Sequence, residues 1–221
     1  MELLKTDFTY HIFNHANGFE NLFLHEANYH YFLEKYTMYI SPIAETYAYC
    51  LMPNHFHFVI RIRKQIIIEE LIRIKDNKFE NTISNVSNFG NGIQIRIDDD
   101  QITKFISKQF ANLFSCYTQS FNKVYQRKGS LFIKNFKREM ITDKDYFIKA
   151  VAYFHRNPVH HGFCKDFSEW PYSSFHEIVS GQTYIIETAI LMKLFGSMDF
   201  LMEEHLKSLE TFERKIDLEM N

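Results

Sequence analysis

Three cysteines in 221 residues, Cys50, Cys116 and Cys164, are too few, too scattered and odd in number for a disulfide framework. No CxxC pair is present, which argues against a thiolate zinc site and fits a reducing cytosol. The first residues, Met1 to Asp7, hold no long apolar stretch, so no secretory leader is expected. No apolar run approaches the length that spans a bilayer, and a cytoplasmic protein is the expectation. Net charge is also scarce: 25 Lys and Arg against 27 Asp and Glu leave −2. Bulk charge therefore does not attract this chain to nucleic acid. What the chain does have is apolar material, 46% hydrophobic and 17% aromatic residues, with 23 Phe and 13 Tyr. That is enough for a substantial core and speaks against wholesale disorder.

The small net charge hides a polarised distribution. Residues 101–140 carry Lys104, Lys108, Lys123, Arg127, Lys128, Lys134, Lys137 and Arg138 against Glu139 alone, a net of +7. Residues 199–221 carry seven acidic and three basic residues, a net of −4. A basic segment inside a neutral chain is a candidate nucleic-acid contact, although a solvated helix face has the same composition.

The run Met52-Pro53-Asn54-His55-Phe56-His57-Phe58-Val59-Ile60-Arg61-Ile62-Arg63 alternates strictly from His55 onward, as a half-buried strand does. Phe56, Phe58, Ile60 and Ile62 form the core side. His55, His57, Val59, Arg61 and Arg63 form the other. Two imidazoles at i and i+2 can chelate one cation, and the guanidinium groups beyond them suit phosphates.

Around this strand the pattern gives a first strand at Phe8–Phe13, a helix at Glu26–Ile40 and a strand at Glu45–Leu51, the last hairpinned onto the histidine strand. A short helix follows at Ile66–Ile74, then a polar loop at Asp76–Gly92, a brief strand at Ile93–Ile97 and a long helix at Gln101–Tyr125. Ser130–Met140 reads as strand. Thr142 with Asp145 looks like a capping box opening a helix that runs to about Arg156, with Pro158 ending it. Beyond Thr188 the tail reads as helical, amphipathic and acidic. The order β-α-β-β-α-β-α predicts an α+β fold, a ferredoxin-like antiparallel sheet with helices packed on it. Residues 1–180 form the expected domain and 181–221 a C-terminal helical extension.

On the helix after Thr142, Phe147, Val151 and Phe154 form the core stripe at helical spacing, while Tyr146, Tyr153 and Asn157 fall on another side about 120° away. Tyr153 lies one turn before Asn157, whose amide oxygen is a hard ligand suited to Mg²⁺ or Mn²⁺. A cation held by His55, His57 and Asn157 beside a phenol is a set of parts for nucleophilic phosphoryl transfer. Tyr146 is a rival phenol, but four residues on from it stands Ala150, which binds no metal. His155, His160 and His161 read as solvent or phosphate contacts at most.

His55-Phe56-His57 resembles the HUH motif, and Tyr153 followed by Asn157-Pro158-Val159 resembles the tyrosine helix of single-tyrosine HUH transposases. Met52-Pro53-Asn54-His55 and Trp170-Pro171-Tyr172-Ser173-Ser174 are similar to the same group, the insertion-sequence-200-like and REP-associated tyrosine transposases, over roughly residues 8–178. The resemblance implies an RRM-like HUH domain, a divalent metal (Mg²⁺ or Mn²⁺) and single-stranded DNA with hairpins as substrate. It also implies cleavage and rejoining through a 5′-phosphotyrosine. Carried onto this chain, Tyr153 is the nucleophile, and His55, His57 and Asn157 are the metal ligands. Candidate DNA contacts are Arg61, Arg63, Lys123, Arg127, Lys128, Lys134, Lys137, Arg138 and Lys149, with Tyr125 and Phe132 interleaved for base stacking. Relatives often carry Asn-Arg-Gly after the first strand; here the stretch is Asn14-His15-Ala16-Asn17-Gly18. Monomer and homodimer are both open. Two other functions fit the scaffold: a hairpin DNA- or RNA-binding module without catalysis, and a metal-dependent hydrolase that uses water.

Overall fold

A computed structural model describes residues 3–83 and 97–207. Among the described residues four strands form one sheet: β1 (Thr9–His15), β2 (Ala44–Leu51), β3 (His55–Ile62) and β4 (Lys137–Ile141). Their spatial order is β2-β3-β1-β4, and every neighbouring pair is antiparallel. The helices are α1 (Glu26–Tyr39), α2 (Gln65–Ile83), α3 (Asp99–Val124), α4 (Lys144–His160), α5 (Phe175–Ser180), α6 (Thr188–Phe195) and α7 (Met198–Leu206). The fold is α+β, with the strand order of a ferredoxin-like sheet.

The period-2 alternation of β3 sorts its side chains onto two faces, and both faces are covered. On one, α1 lays Tyr36 flat on Phe58, with ring centroids 4.3 Å apart, and Phe32 against Phe56 at 5.4 Å. Helix α3 adds Phe114 to Phe56 at 5.9 Å and Tyr117 to Phe32 at 5.1 Å. On the other face, α4 stacks Phe154 on His57 at 4.8 Å and tilts it against His11 at 4.5 Å. Strand β3 is thus buried on both sides rather than half-buried, and only Arg61 within it is partly open. The histidine face is a second core, sealed by α4.

Several boundaries differ from the sequence pattern, each for a local reason. Helix α2 continues to Ile83, so the first part of the polar stretch expected as loop is helical. Propensity is a weak prior, and that stretch lacks proline. The strand expected at Ile93–Ile97 lies, but for Ile97, outside the described residues. The ladder of β4 begins only at Lys137; before it, Phe132 makes a single bridge to Ala16. The N-cap of α4 is Asp143, whose carboxylate accepts from the Tyr146 amide at 2.7 Å, not Thr142. Helix α4 also runs past Pro158 to His160. Proline costs the helix one hydrogen bond at the Phe154 carbonyl. Near the C-terminal end, with Pro158 buried, packing outweighs that loss. The helical pattern beyond Thr188 holds for α6 and α7, and both lie against α4.

Candidate active site

Antiparallel pairing brings the histidines together. Strand β1 places His15 opposite His55, Phe13 opposite His57 and His11 opposite Val59. Odd-numbered side chains of both strands share the face under α4. The His15 and His55 rings stack at 4.7 Å, and His55 and His57 stand edge to face at 5.2 Å. From α4, Tyr153 brings its ring edge-on to His57 at 6.1 Å. Asn157 brings its amide oxygen to 3.1 Å from His55 Nε2. His55, His57, Tyr153 and Asn157 therefore meet on one side of the sheet within one chain.

Each histidine of the pair is held from behind. His55 Nδ1 lies 2.8 Å from Asn54 Oδ1, and His57 Nδ1 lies 2.9 Å from His11 Nε2. Partners of this kind orient the imidazoles of metal sites. Burial keeps these rings neutral: it pushes His55 and His11 down to about 3, and His57 falls well below the usual value for the same reason.

Neutrality creates a mismatch. A neutral imidazole carries one N–H, yet His55 meets a carboxamide oxygen at each nitrogen. If Nδ1 donates to Asn54, the Nε2 lone pair faces the lone pairs of Asn157 Oδ1. Turning the Asn157 amide removes that clash but leaves its oxygen unsatisfied instead. As placed, Asn157 Nδ2 and His57 Nε2 are buried without a hydrogen-bond partner. Buried polar atoms are nearly always satisfied. Two ligands of an octahedral ion, each at about 2.1 Å, sit about 3 Å apart, which matches His55 Nε2 and Asn157 Oδ1. The donor set thus fits a divalent cation. Among the described residues no group of three or more His, Cys, Asp or Glu side chains is placed to hold a metal. The set here is two imidazoles and an amide.

Tyr153, His57 and Asn157 expose none of their surface, and His55 only 2%. Tyr153, expected apart from the core stripe, is packed within the core, because the sheet wraps more of α4 than a single stripe. Its rival Tyr146 is half-buried and donates its hydroxyl to Glu139 at 3.0 Å, away from the pair. The rim toward solvent comes from half-buried His15, exposed Lys137 and exposed His161, whose ring is 5.3 Å from His55. Lys137 and His161 each help keep His15 neutral, after burial, so that its value falls to about 4.

The expected basic contacts scatter. Lys137, opposite Phe13 in the β1–β4 ladder, is the one placed at the histidines. Arg61 sits at the far end of β3 and Arg63 just past it; Arg61 pairs with Asp7 at 2.6 Å, and Arg63 lies near Glu45 and Glu187 at 3.7 and 3.9 Å. Lys149 pairs with Asp145 at 2.7 Å. Arg127 is bound by Glu20 and by the Gly129 and Ser130 carbonyls. Lys123 and Lys128 are exposed near the end of α3. Lys134 and Arg138 line a cleft of about 600 Å³ beside α3, on the opposite face of the sheet from His55. Phe132, expected to stack on bases, is buried, and Tyr125 donates its hydroxyl to Asn28. His155, expected near solvent, is fully buried. Sequence reading missed His11 and His15; their signal was the His-x-Phe-x-His alternation of β1, which means little until its register with β3 is known.

A Haemophilus influenzae protein that bears the name REP-associated tyrosine transposase is 25% identical over 140 residues, 63% of this chain. The chain is similar to the REP-associated tyrosine transposases. The match spans 64% of that relative, less than two thirds of its length. A solved REP-associated tyrosine transposase, bound to a REP hairpin, aligns over 84% of this chain and 87% of its own, with 18% identity and a TM-score of 0.49. No protein-family model matches. Among the described residues no helix is long and apolar enough to cross a membrane.

Proposed function

We propose that this chain is a metal-dependent transposase of single-stranded DNA, cleaving and rejoining strands beside hairpins through a 5′-phosphotyrosine. The observation that carries the reading is the convergence of His55 Nε2, the unsatisfied His57 Nε2 and the Asn157 amide beside the Tyr153 ring. Likeness to the Haemophilus protein and its name support the same class of reaction. His55, His57 and Asn157 would hold Mg²⁺ or Mn²⁺, which when bound supplies polarisation of the scissile phosphate and stabilises developing charge. The Tyr153 oxygen attacks phosphorus. The Tyr153–phosphorus bond forms, the bond from phosphorus to the 3′-oxygen breaks, and the phenolic proton ends on that 3′-oxygen. Rejoining is the reverse with a new 3′-hydroxyl. Lys137 and His15, on the rim, meet the phosphates that flank the reacting one. All the named groups belong to one chain, so the reading needs no helix from a partner.

The test is incubation of the purified protein with hairpin-bearing single strands and Mn²⁺, read by intact-protein mass. A covalent adduct is expected with the native chain and none with Tyr153→Phe, while both bind the strand alike. Adducts that persist in the variant would reassign the nucleophile; turnover without any adduct would favour attack by water. The complete burial of Tyr153 and Asn157 favours a second reading, a hairpin-binding module that does not cut. That module binds the same strands and yields no adduct at any divalent metal concentration.

A further inference from the structure

Helix α4 carries one buried imidazole of its own, His155, two residues from both Tyr153 and Asn157 and so about 200° around the helix from each. It faces away from the candidate metal site, toward α7. Its partners form a chain whose direction is fixed by chemistry. His205 Nδ1 lies 2.7 Å from the Leu201 carbonyl, which only accepts, so Nδ1 carries the proton. His205 Nε2 then offers a lone pair to His155 Nδ1 at 2.7 Å, so His155 Nδ1 donates. His155 Nε2 in turn accepts from Ser174 Oγ at 2.7 Å. Ser174 Oγ receives the Tyr49 amide of β2 at 2.9 Å. Each imidazole nitrogen has one complementary partner, and both rings are neutral in keeping with their burial. The two rings also stack at 5.0 Å, and Arg156 of α4 binds the Lys207 carbonyl just past α7.

We propose that His205 is a positioning residue for the candidate metal site: acting through His155, it sets the rotation of α4 and so the place of Asn157 against His55. Helix α7 is then a working part of the site rather than an appendage. A rotation of α4 by a fraction of its 100° step carries Asn157 Oδ1 out of line with His55 Nε2. The metal component of this inference rests on the function proposed above.

The test uses the full chain with His205→Leu and His205→Gln. Leucine fills similar volume but offers no acceptor to the His155 Nδ1 proton. Glutamine places an amide oxygen about where Nε2 stood. Mn²⁺ titration of the native chain and both variants is expected to show affinity at least tenfold weaker with leucine and within about threefold of native with glutamine, since orienting partners set metal affinity by 10- to 100-fold. Ser174→Ala, which cuts the chain at its other end, is expected to weaken Mn²⁺ as leucine does, and it replaces His205→Leu should that variant not fold. A purely structural role lowers the melting temperature in all variants and leaves the affinity of the folded protein unchanged; that result overturns the proposal. If the native chain takes up no Mn²⁺, the metal reading falls and hydrogen exchange decides the positioning. Amides 153–157 exchanging at least tenfold faster with leucine but not glutamine uphold it, and faster exchange confined to α7 refutes it.

Discussion

Helix α4 separates two histidine clusters that are both buried, but for half-buried His15, and oppositely built. Under the helix, His11, His15, His55 and His57 crowd the face of β1 and β3, and His11 Nδ1, His15 Nε2 and His57 Nε2 have no hydrogen-bond partner. Behind the helix, His155 and His205 leave no ring nitrogen without one. Burial depresses the histidines of both clusters alike, so burial does not distinguish them. Satisfaction does. Leaving a buried polar atom unmade costs of order 1–3 kcal/mol, and the open cluster gathers several such atoms where a bound ion would satisfy them. The closed cluster is what the same residue type looks like when it serves packing and position.

The sharpest way to break this contrast is to remove one imidazole from the open cluster and look for lost chemistry without lost fold. His55→Ala is expected to reduce Mn²⁺-dependent adduct formation by about a thousandfold, while urea unfolding shows stability within about 1 kcal/mol of native. Adduct formation at the native rate would show that the cluster holds no cation that matters. In the other cluster the same kind of change is expected to cost stability as well as Mn²⁺ affinity. His155→Leu strands the His205 Nε2 lone pair in the core and leaves the Ser174 hydroxyl only the Tyr49 carbonyl at 3.3 Å, and is expected to cost about 2–4 kcal/mol of unfolding free energy. A cost below about 1 kcal/mol would mean that the chain of hydrogen bonds contributes little to holding α4.

Much of this contrast was legible in the sequence, and what was not depended on distance along the chain. The alternation of β3 placed His55 and His57 on one face, and one helical turn placed Asn157 beside Tyr153; both are local periodicities. The α+β order, and the strands and helices nearest the site, followed from the same kind of signal. His11 and His15 join the site only through the β1–β3 register, which no local pattern specifies. Arg61 and Arg63 looked available for phosphates because Asp7, Glu45 and Glu187, which lie against them here, are invisible to a reading of β3 alone. His155 looked like a surface residue because its partners, Ser174 and His205, arrive from later in the chain. The end of α4 was misplaced because Pro158 stops a helix in isolation, whereas here the surrounding core carries the helix one turn further.

Acid sharpens the comparison. A buried neutral histidine resists protonation in the folded state but not in the unfolded one. With His205 at about 4 in the fold and 6.5 as its ordinary value, its contribution is complete above pH 6.5, falls as pH drops toward 4, and is flat below. The loss for that one group is roughly 3 kcal/mol. His205→Gln is expected to make urea stability less steep between pH 6.5 and 4; an unchanged slope would mean that His205 takes up its proton as readily in the fold as in the unfolded chain.

The smallest expected effect is also the most discriminating. His57→Leu removes one unsatisfied nitrogen outright and replaces an imidazole by an apolar group against Phe154 and Phe13. It also leaves His11 Nε2 without its 2.9 Å partner. One penalty relieved and one created are of the same order, about 1–3 kcal/mol each, so the net change is expected to be within about 1 kcal/mol of zero. The analogous change in the closed cluster has no relieved penalty to set against its losses. If His57→Leu and His155→Leu destabilise equally in the same urea series, the two clusters are built alike, and the unsatisfied nitrogens beneath α4 lose their meaning as a site.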